Sequence, residues 1–581
     1  MTFKTLLKPR RGMALITVLL ISMVVTALMV TAAMLNSSTA MIAKYQQRSS
    51  VLRWSADAGI EEARTKLNGS KTLYPASGYV TVESNVAVQD ASGNVIPDVT
   101  RSVYAGPTGI STGQYGVFGS IVSVVKDTHG DQIIRRGEIV QESFAKYAYF
   151  TDFEPSTIAF GNGDQIFGPV HSNDNINIYS SGATFFGPVT TAGIVEEPKY
   201  GTFKEGFTNH APSIPFPQTA DLAKLQTQAS AGGMSIVGTT NGGDGQATTR
   251  IEFVALDLNG DGDSTDDNEG FIRVYQSTDA GWVVGDLPTD YSSNGMRNSL
   301  NCGHVDAGNF KTAKAHGTTG SDNWLTALES GSRRCYLGGA PELSNGFTAT
   351  DSKGKWLAWT GTVSPLLTGR PDAQYLWPIS RSLNPSWKGV IYVKGKVAIS
   401  GVLNGQVTLA ATDNVVIADD MTYEVDPGKG TCNDILGLFS GNDVVIADNT
   451  INSPNKPKSS ASYFTYDDTK DEFVQGVILA LDIFTVENYD AGSTSAESCE
   501  KTTWGRGCLY LTGGIIQDTR GAVGTTAGTG YVKRYSYDAC AFSDPPPYFP
   551  TTGHFARAHY FEVDPTNFDV ASYFASLSPK S

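Results

Sequence analysis

The most constraining feature of the chain is an uncharged apolar run near its start. Met13 to Leu35 contains no charged side chain and follows a cluster of four lysine and arginine residues within positions 4–11. At about 1.5 Å per helical residue the run spans roughly 35 Å, which is enough to cross the hydrocarbon core of a bilayer. Because a basic flank favours the cytoplasmic side, we expect the chain after residue 35 to lie outside the cytoplasm.

A secretory signal peptide or a plain single-pass anchor is the alternative interpretation of this run. The apolar stretch of a signal peptide is usually about 7–15 residues long and ends at a small-residue cleavage site. Here the run is longer and continues into residues 36–67, which contain no Gly or Pro before Gly59. The pattern therefore favours one long helix that starts in the membrane.

The residues around this run resemble a known family. The junction RRG-MALITVLLISM resembles the class III leader and N-terminal helix of type IV pilins and of type II secretion pseudopilins, and WSADAGIEEARTKL (Trp54–Leu67) resembles the PilX-type N-terminal region. The resemblance implies that prepilin peptidase cleaves between Gly12 and Met13. It also implies that the helix leaves the inner membrane to pack with other pilins, through the pilus assembly machinery, in a filament at the cell surface.

Thr17 departs from the usual pilin pattern. Most pilins have a Glu at the fifth residue after the cleavage site, where it pairs with the amino terminus of the neighbouring subunit, and this chain has Thr17 there. An unpaired carboxylate is costly in a membrane or filament core, so a subunit with no neighbour above it has no use for one. PilX-like minor pilins and the tip pseudopilin of type II secretion also lack this Glu. The resemblance therefore implies a tip or initiating subunit rather than the bulk pilin.

The composition predicts an acidic, mainly β exported region. The formal net charge is −15, and it becomes about −19 without residues 1–12, because they contain four basic residues and no acid. With 62 Gly and 26 Pro the chain is rich in turns, and its length indicates two or three domains. We expect an α+β fold, in which a pilin-like helix and small antiparallel sheet precede a large mainly-β domain.

Two internal repeats indicate the architecture of the large domain. FGPVHSNDNINI (Phe167–Ile178) is echoed 19 residues later by FGPVTTAGI (Phe186–Ile194), and DNVVIAD (Asp413–Asp419) recurs as NDVVIAD (Asn442–Asp448). Short strands broken by Gly, Asn or Asp at near-regular intervals are typical of the rungs of a β-solenoid. A β-sandwich is the alternative, although it offers less reason for a repeated VVIAD phrase.

These patterns divide the chain into consecutive segments. Residues 1–12 are the leader, 13–67 the helix with its transmembrane part at 13–35, and 68–150 a pilin-like sheet. That sheet includes a predicted hairpin of residues 121–125 and 133–140 around Gly130. Residues 151–548 form the predicted β-solenoid-like domain, in which about 200–385 is an insertion with a short helix at 220–233. A C-terminal strand and tail occupy residues 549–581.

One loop in the predicted insertion has the spacing of a calcium site. Gly262 occupies position 6 of an EF-hand-like pattern, and oxygen-bearing side chains occupy positions 1, 3, 5 and 7, namely Asp257, Asn259, Asp261 and Asp263. Position 12 is Asn268, and the acid Glu269 comes one residue late. The flanking residues read as strands rather than helices. We expect structural Ca²⁺ here, with a solvated acidic hairpin as the alternative.

All six cysteines follow the apolar run: Cys302, Cys335, Cys432, Cys499, Cys508 and Cys540. An even number in an exported chain favours disulfides. Proximity suggests the pairs Cys499–Cys508 and Cys302–Cys335, but spacing does not determine the connectivity. Buried free thiols are the alternative.

Binding of DNA is a second candidate role. The domain order also resembles large competence pilins, which are regarded as DNA receptors at the pilus tip. Two short basic and aromatic stretches supply candidate phosphate contacts, namely Lys353, Lys355, Lys533 and Arg534. An acidic chain opposes broad phosphate attraction, so ordinary surface charge is the favoured interpretation of these residues.

No catalytic motif emerges from the sequence, so we do not expect an enzyme. The sequence contains no nucleophile elbow, phosphate loop or paired metal motif. Three classes remain in order of preference: a minor pilin-like subunit, a tip receptor for DNA or a surface ligand, and an anchored extracellular enzyme. A type II secretion pseudopilin belongs with the first class, and sequence does not separate it from a pilus subunit.

Overall fold

The computed structural model describes residues 13–109, 114, 116–161, 163–240, 244–245, 247–277, 282–284, 334–336, 349, 354–370, 372–429, 431–446, 472–487, 489–490, 499, 508–525 and 529–577. The chain divides into two compact units. The first comprises residues 1–110, 118–140 and 555–581, and the second comprises residues 111–117 and 141–554.

The helices within the described residues are α1 (Met13–Gly69), α2 (Thr219–Ala231), α3 (Cys540–Ser543) and α4 (Val570–Leu577). Short 3₁₀ turns occur at Lys71–Leu73, Phe144–Lys146, Pro198–Tyr200, Pro365–Leu367, Ala373–Tyr375 and Pro427–Lys429.

The first strands are β1 (Val80–Gln89), β2 (Val95–Pro107), β3 (Phe118–Asp127), β4 (Gln132–Ser143), β5 (Tyr149–Phe153), β6 (Asp164–Phe167), β7 (Val170–Ser172), β8 (Ile176–Asn177), β9 (Ala183–Phe185), β10 (Val189–Thr191), β11 (Val195–Glu196), β12 (Gly201–Phe203), β13 (Phe207–Thr208), β14 (Ser235–Val237) and β15 (Thr249–Ala255). They are followed by β16 (Gly270–Ser277), β17 (Trp282–Val284), β18 (Arg334–Tyr336), β19 (Gly354–Trp356), β20 (Trp377–Pro378), β21 (Val390–Lys394), β22 (Val397–Leu403), β23 (Gln406–Ala411), β24 (Val415–Tyr423), β25 (Ile435–Ser440), β26 (Val444–Ile446), β27 (Glu472–Val486), β28 (Cys508–Thr519), β29 (Val532–Tyr537) and β30 (Thr551–Val563).

Helix α1 has two parts with different environments. Residues 14–47 are exposed, and the helix is long and apolar enough by length and composition to cross a membrane. In the second part every third or fourth residue is buried, namely Leu52, Ala56, Ile60, Ala63 and Leu67. This is the stripe of an amphipathic helix that packs on one side. The predicted long N-terminal helix is therefore confirmed.

The buried stripe of α1 packs on a five-stranded sheet with the order β1-β2-β3-β4-β30. Strands β3 and β4 pair antiparallel from Phe118–Val140 to Lys126–Gln132, so the predicted hairpin is confirmed. Arg101 is buried beneath the helix and donates to Glu83 Oε2 at 2.8 Å and to Ser55 O at 3.2 Å. A Cβ at Gly59 would lie 2.5 Å from Arg101 Cδ, so glycine is needed at this turn of the helix to leave room for the Arg101 side chain.

The second unit contains a 21-stranded sheet whose strands pair mostly in parallel. The VVI parts of the two repeated phrases stack on one another, because β24 pairs with β26 through Val415–Val444 and Ile417–Ile446. Ile399 of β22 pairs with Ile417 in turn, which produces a buried aliphatic column. Parallel pairing differs from the antiparallel sheets of a β-sandwich.

The FGPV repeat is stacked in the same way. Val170 of β7 pairs with Val189 of β10, which pairs with Phe207 of β13, all in parallel. The rings of Phe167 and Phe186 stack with their centroids 4.0 Å apart. Each repeat of the sequence therefore supplies one layer of the ladder.

The predicted insertion contributes strands to the main sheet. The expected helix is present as α2, but β14 pairs with β21 and β15 pairs with β22, both in parallel. Ile236, Ile251 and Phe253 belong to the same buried cluster as the repeat strands. Apolar residues alternate with polar ones along these strands, and this pattern places them in the core. The strands contain neither of the two sequence repeats.

Candidate functional site

The acidic loop joins two antiparallel strands, as its sequence predicts. Strands β15 and β16 pair from Thr249–Gln276 to Ala255–Gly270, and the loop between them is largely exposed. The Asp257 carboxylate accepts hydrogen bonds from the backbone N–H groups of Gly260 at 2.6 Å and Gly262 at 3.1 Å. Both glycines have positive φ, at +78° and +101°, a conformation that favours glycine.

Glu269 and Asp266 complete this loop. Glu269 is fully buried, and its two carboxylate oxygens accept from the backbone N–H groups of Leu258 at 2.7 Å and Asp266 at 3.2 Å. Desolvation and the nearby carboxylates of Glu269, Asp261 and Asp263 raise the pKa of Asp266 above its ordinary value. Sequence reasoning missed Asp266, although it lies within the loop.

The donor chemistry of the loop fits a hard cation, since its polar side chains are carboxylates, carboxamides and hydroxyls, all of which offer oxygen atoms. Asn259 Nδ2 donates to both Asp261 Oδ2 and Asp266 Oδ2 at 2.9 Å, so several of these oxygens already have protein partners. No group of three His, Cys, Asp or Glu side chains in the described part of the chain is arranged to hold a metal ion. Calcium binding by this loop stays a prediction.

The candidate DNA-binding residues do not form one exposed patch. Lys533 Nζ bonds to Asp164 Oδ2 at 2.9 Å, and burial lowers the pKa of Lys533. The Arg534 guanidinium donates to the carbonyl oxygens of Gly163 at 3.1 Å and Lys533 at 2.9 Å. Lys355 lies exposed on β19, and Lys353 lies outside the described residues.

A second buried ion pair joins Arg520, which follows β28, to Glu154, which follows β5. Arg520 Nη1 lies 2.9 Å from Glu154 Oε2, and both side chains are almost completely buried. Tyr149 donates its hydroxyl hydrogen to Glu154 at 2.9 Å, and the Arg520 guanidinium lies 3.8 Å from the centroid of the Phe160 ring. Because these side chains contact one another in the interior of the fold, we assign the pair a structural role.

Acidic side chains gather where stacked strands end. Asp443 is 8% exposed and accepts a hydrogen bond from Ile483 N at 3.2 Å. Burial, together with the carboxylates of Asp482, Asp244 and Asp413, raises the pKa of Asp443 to about 6. Because these carboxylates lie close together, their mutual repulsion is a cost that the fold bears at neutral pH.

Two disulfides are present among the described cysteines. Cys499–Cys508 confirms one predicted pair, and Cys432–Cys540 joins residues 108 positions apart that spacing did not suggest. Cys302 lies outside the described residues, and only the backbone of Cys335 is described.

The start of α1 carries the remaining predicted site. Within the described residues α1 begins at Met13, and Gly12 lies outside them. Thr17 Oγ1 donates to Ala14 O at 3.0 Å within the helix. A hydroxyl that is satisfied by its own helix places no demand on a neighbouring chain.

Comparison with known proteins gives a weak structural likeness. No protein-family profile matches the chain, and no curated protein matches it significantly. Among solved structures, the competence-associated pilin ComZ from Thermus thermophilus aligns over 88% of this chain and 97% of its own. The identity is 12% and the TM-score 0.24.

Proposed function

We propose that this protein is a minor subunit, at the tip or initiating position, of a type IV pilus-like filament, and that it displays a large extracellular β-domain without catalysis. The division of α1 is the observation that supports this proposal most strongly. Residues 14–47 are exposed, and this range is mostly apolar as far as residue 35. The later turns of α1 pack on a small antiparallel sheet. Such a helix suits a subunit that lies in the inner membrane before assembly and packs against the helices of other subunits in the filament.

Thr17 supports the tip or initiating position. A Glu at this position would need a partner amino terminus from a neighbouring subunit, whereas the Thr17 hydroxyl bonds to Ala14 O in its own helix. Burial of this residue in a membrane or filament core therefore leaves no charge unpaired.

We further propose that the parallel ladders of the second unit are the rungs of a β-solenoid, stabilised on one side by calcium in the acidic loop. The regular stacking of the two sequence repeats supports the solenoid. The all-oxygen donor set and the raised pKa of Asp266 support a cation in the loop.

A DNA-receptor role receives less support from the described residues. The exported region has a charge of about −19, and Lys533 is engaged in a buried ion pair. Phosphate binding depends on available lysine and arginine side chains. An adhesin or a type II secretion pseudopilin would use the same N-terminal architecture.

Immunogold labelling of sheared surface filaments tests the proposed position. We expect label at filament ends for the wild-type chain, and a cell-bound chain with no filament label for Gly12→Glu, since a bulky acid replaces the glycine at the cleavage site. Thr17→Ser, which retains the hydroxyl, is the matched control and should label ends normally. Label along the whole filament, or none in any preparation, would reject a tip subunit.

A further inference from the structure

A polar cavity of about 300 Å³ opens in the second unit beside the acidic loop. Its walls come from residues 379–389 after β20, from the turn 404–406 between β22 and β23, and from residues near Cys432 and Pro547. Asp267 of the acidic loop contributes to the rim. This volume is at the lower end of the range of about 300–1,000 Å³ that is usual for small-molecule sites.

Carboxamide groups supply hydrogen-bond acceptors to the cavity. Asn404 Nδ2 donates to Ser264 O at 2.6 Å and to Asp266 O at 2.9 Å, so two carbonyl groups fix the orientation of this amide. Gln406 Nε2 donates to Cys432 O at 3.4 Å. No described residue donates to the amide oxygens of Asn404 and Gln406, which leaves both oxygens as acceptors.

Arg381 and Asn433 supply hydrogen-bond donors to the cavity. Arg381 Nε donates to Trp387 O at 3.2 Å and Nη2 donates to Gln114 Oε1 at 2.8 Å, so two bonds hold the guanidinium in place. Its Nη1 and the Asn433 amide make no hydrogen bond to the residues that the structure describes. Both side chains are exposed at the rim, so they offer donors to a ligand.

Ile379, Trp387 and Pro547 add an apolar wall to this polar set. Arg381 and Asp267 are the two charged side chains of the lining and carry opposite signs, so together they contribute no net formal charge to the cavity. An array of donors and acceptors over an apolar wall complements hydroxyl groups, because each hydroxyl both donates and accepts. The C–H face of a sugar ring can pack on the apolar wall at the same time.

We propose that this cavity binds a neutral saccharide, through one or two sugar rings of a surface glycan. The site goes beyond the proposed filament role and does not depend on it, since the residues all belong to the second unit. A phosphorylated or uronic sugar is disfavoured, because Asp267 lies at the same rim as Arg381. A peptide also offers neutral donors and acceptors, and the trialanine probe in the experiment below distinguishes peptide binding from sugar binding.

The test is saturation-transfer NMR with the full chain in a detergent that has no sugar headgroup. The probes are glucose, galactose, mannose and N-acetylglucosamine, with glucuronate, glucose 6-phosphate and trialanine as comparison ligands. We expect saturable binding of at least one neutral sugar and none of the comparison ligands. Arg381→Ala should weaken that binding about ten-fold or more, since bonds to charged groups are the stronger ones.

Asn433→Ala keeps the test valid if the arginine variant fails to fold. The Asn433 amide has no partner among the described residues, so its removal should not disturb folding. It should weaken binding about three- to ten-fold, as expected for one neutral hydrogen bond. Gln226→Ala, an exposed amide on α2, is the matched control and should leave binding unchanged. Absence of saturable sugar binding, equal binding in all variants, or a preference for a charged sugar or trialanine would overturn the proposal.

Discussion

The two disulfides should stabilise the fold by clearly different amounts. Cys432–Cys540 spans 108 residues and Cys499–Cys508 spans 9. The loop-entropy relation gives a stabilisation of about 4.8 kcal/mol for the long loop and about 2.6 kcal/mol for the short one. Replacing both cysteines of a pair by serine should therefore lower the free energy of unfolding by roughly 2 kcal/mol more for Cys432–Cys540 than for Cys499–Cys508.

Equilibrium urea unfolding of the full chain in non-ionic detergent, followed by tryptophan fluorescence, measures this difference. Each double-serine variant removes two sulfur atoms, so each serves as the control for the other. The midpoint should fall further for the long-range pair, while the slope with urea stays similar. Equal losses in the two variants, or a larger loss for the short loop, would refute the loop-entropy reasoning.

Four further outcomes are expected. Asp443→Asn should stabilise the protein by about 1–2 kcal/mol above pH 7 and have no effect below about pH 4, in urea unfolding at several pH values. The reason is that the pKa of Asp443 is raised from 3.8 to about 6 in the folded state, so wild-type stability falls as pH rises between these two values. A gain that persists at low pH would exclude this cause. Ile417→Ala should cost about 2–5 kcal/mol and Ile417→Val about 0.5–1.5 kcal/mol in the same assay, since the residue is fully buried in a stacked column; equal costs would contradict the packing. If the loop binds calcium, a hundredfold excess over Kd should add about 2.7 kcal/mol and raise the melting temperature, and the joint variant Asp257→Asn with Asp261→Asn should lose that gain. An identical melting temperature with chelator would reject calcium. Duplex DNA should show weak or no binding at about 50 mM salt in fluorescence anisotropy, whereas tight binding with a log–log salt slope of about −0.9 per phosphate would favour the receptor role.

Local patterns in the sequence predict the elements whose partners are close in the chain. The hairpin around Gly130, the strands flanking the acidic loop and the Cys499–Cys508 pair all depend on contacts within a few tens of residues. The repeated VVIAD phrase also indicates its own stacking, because identical strands favour the same position in successive layers.

Contacts between distant residues were not predictable in the same way. Lys533 is expected at the surface because lysine side chains are mostly exposed, but Asp164, 369 residues away in the sequence, bonds to it. Cys432 and Cys540 are separated by 108 residues, and no spacing rule selects that pair from the alternatives. The polar cavity likewise combines Gln114, Arg381 and Asn404 from three separate parts of the chain.

The amino terminus of the protein isolated from cells tests the central claim most directly. If the chain is a pilin-like subunit, intact-mass and terminal-peptide mass spectrometry should find Met13 as the first residue, because prepilin peptidase cleaves after Gly12. An amino terminus near residue 35 would indicate a secretory signal peptide, and an intact Met1 would indicate a plain membrane anchor. Either result would contradict the assignment to a filament.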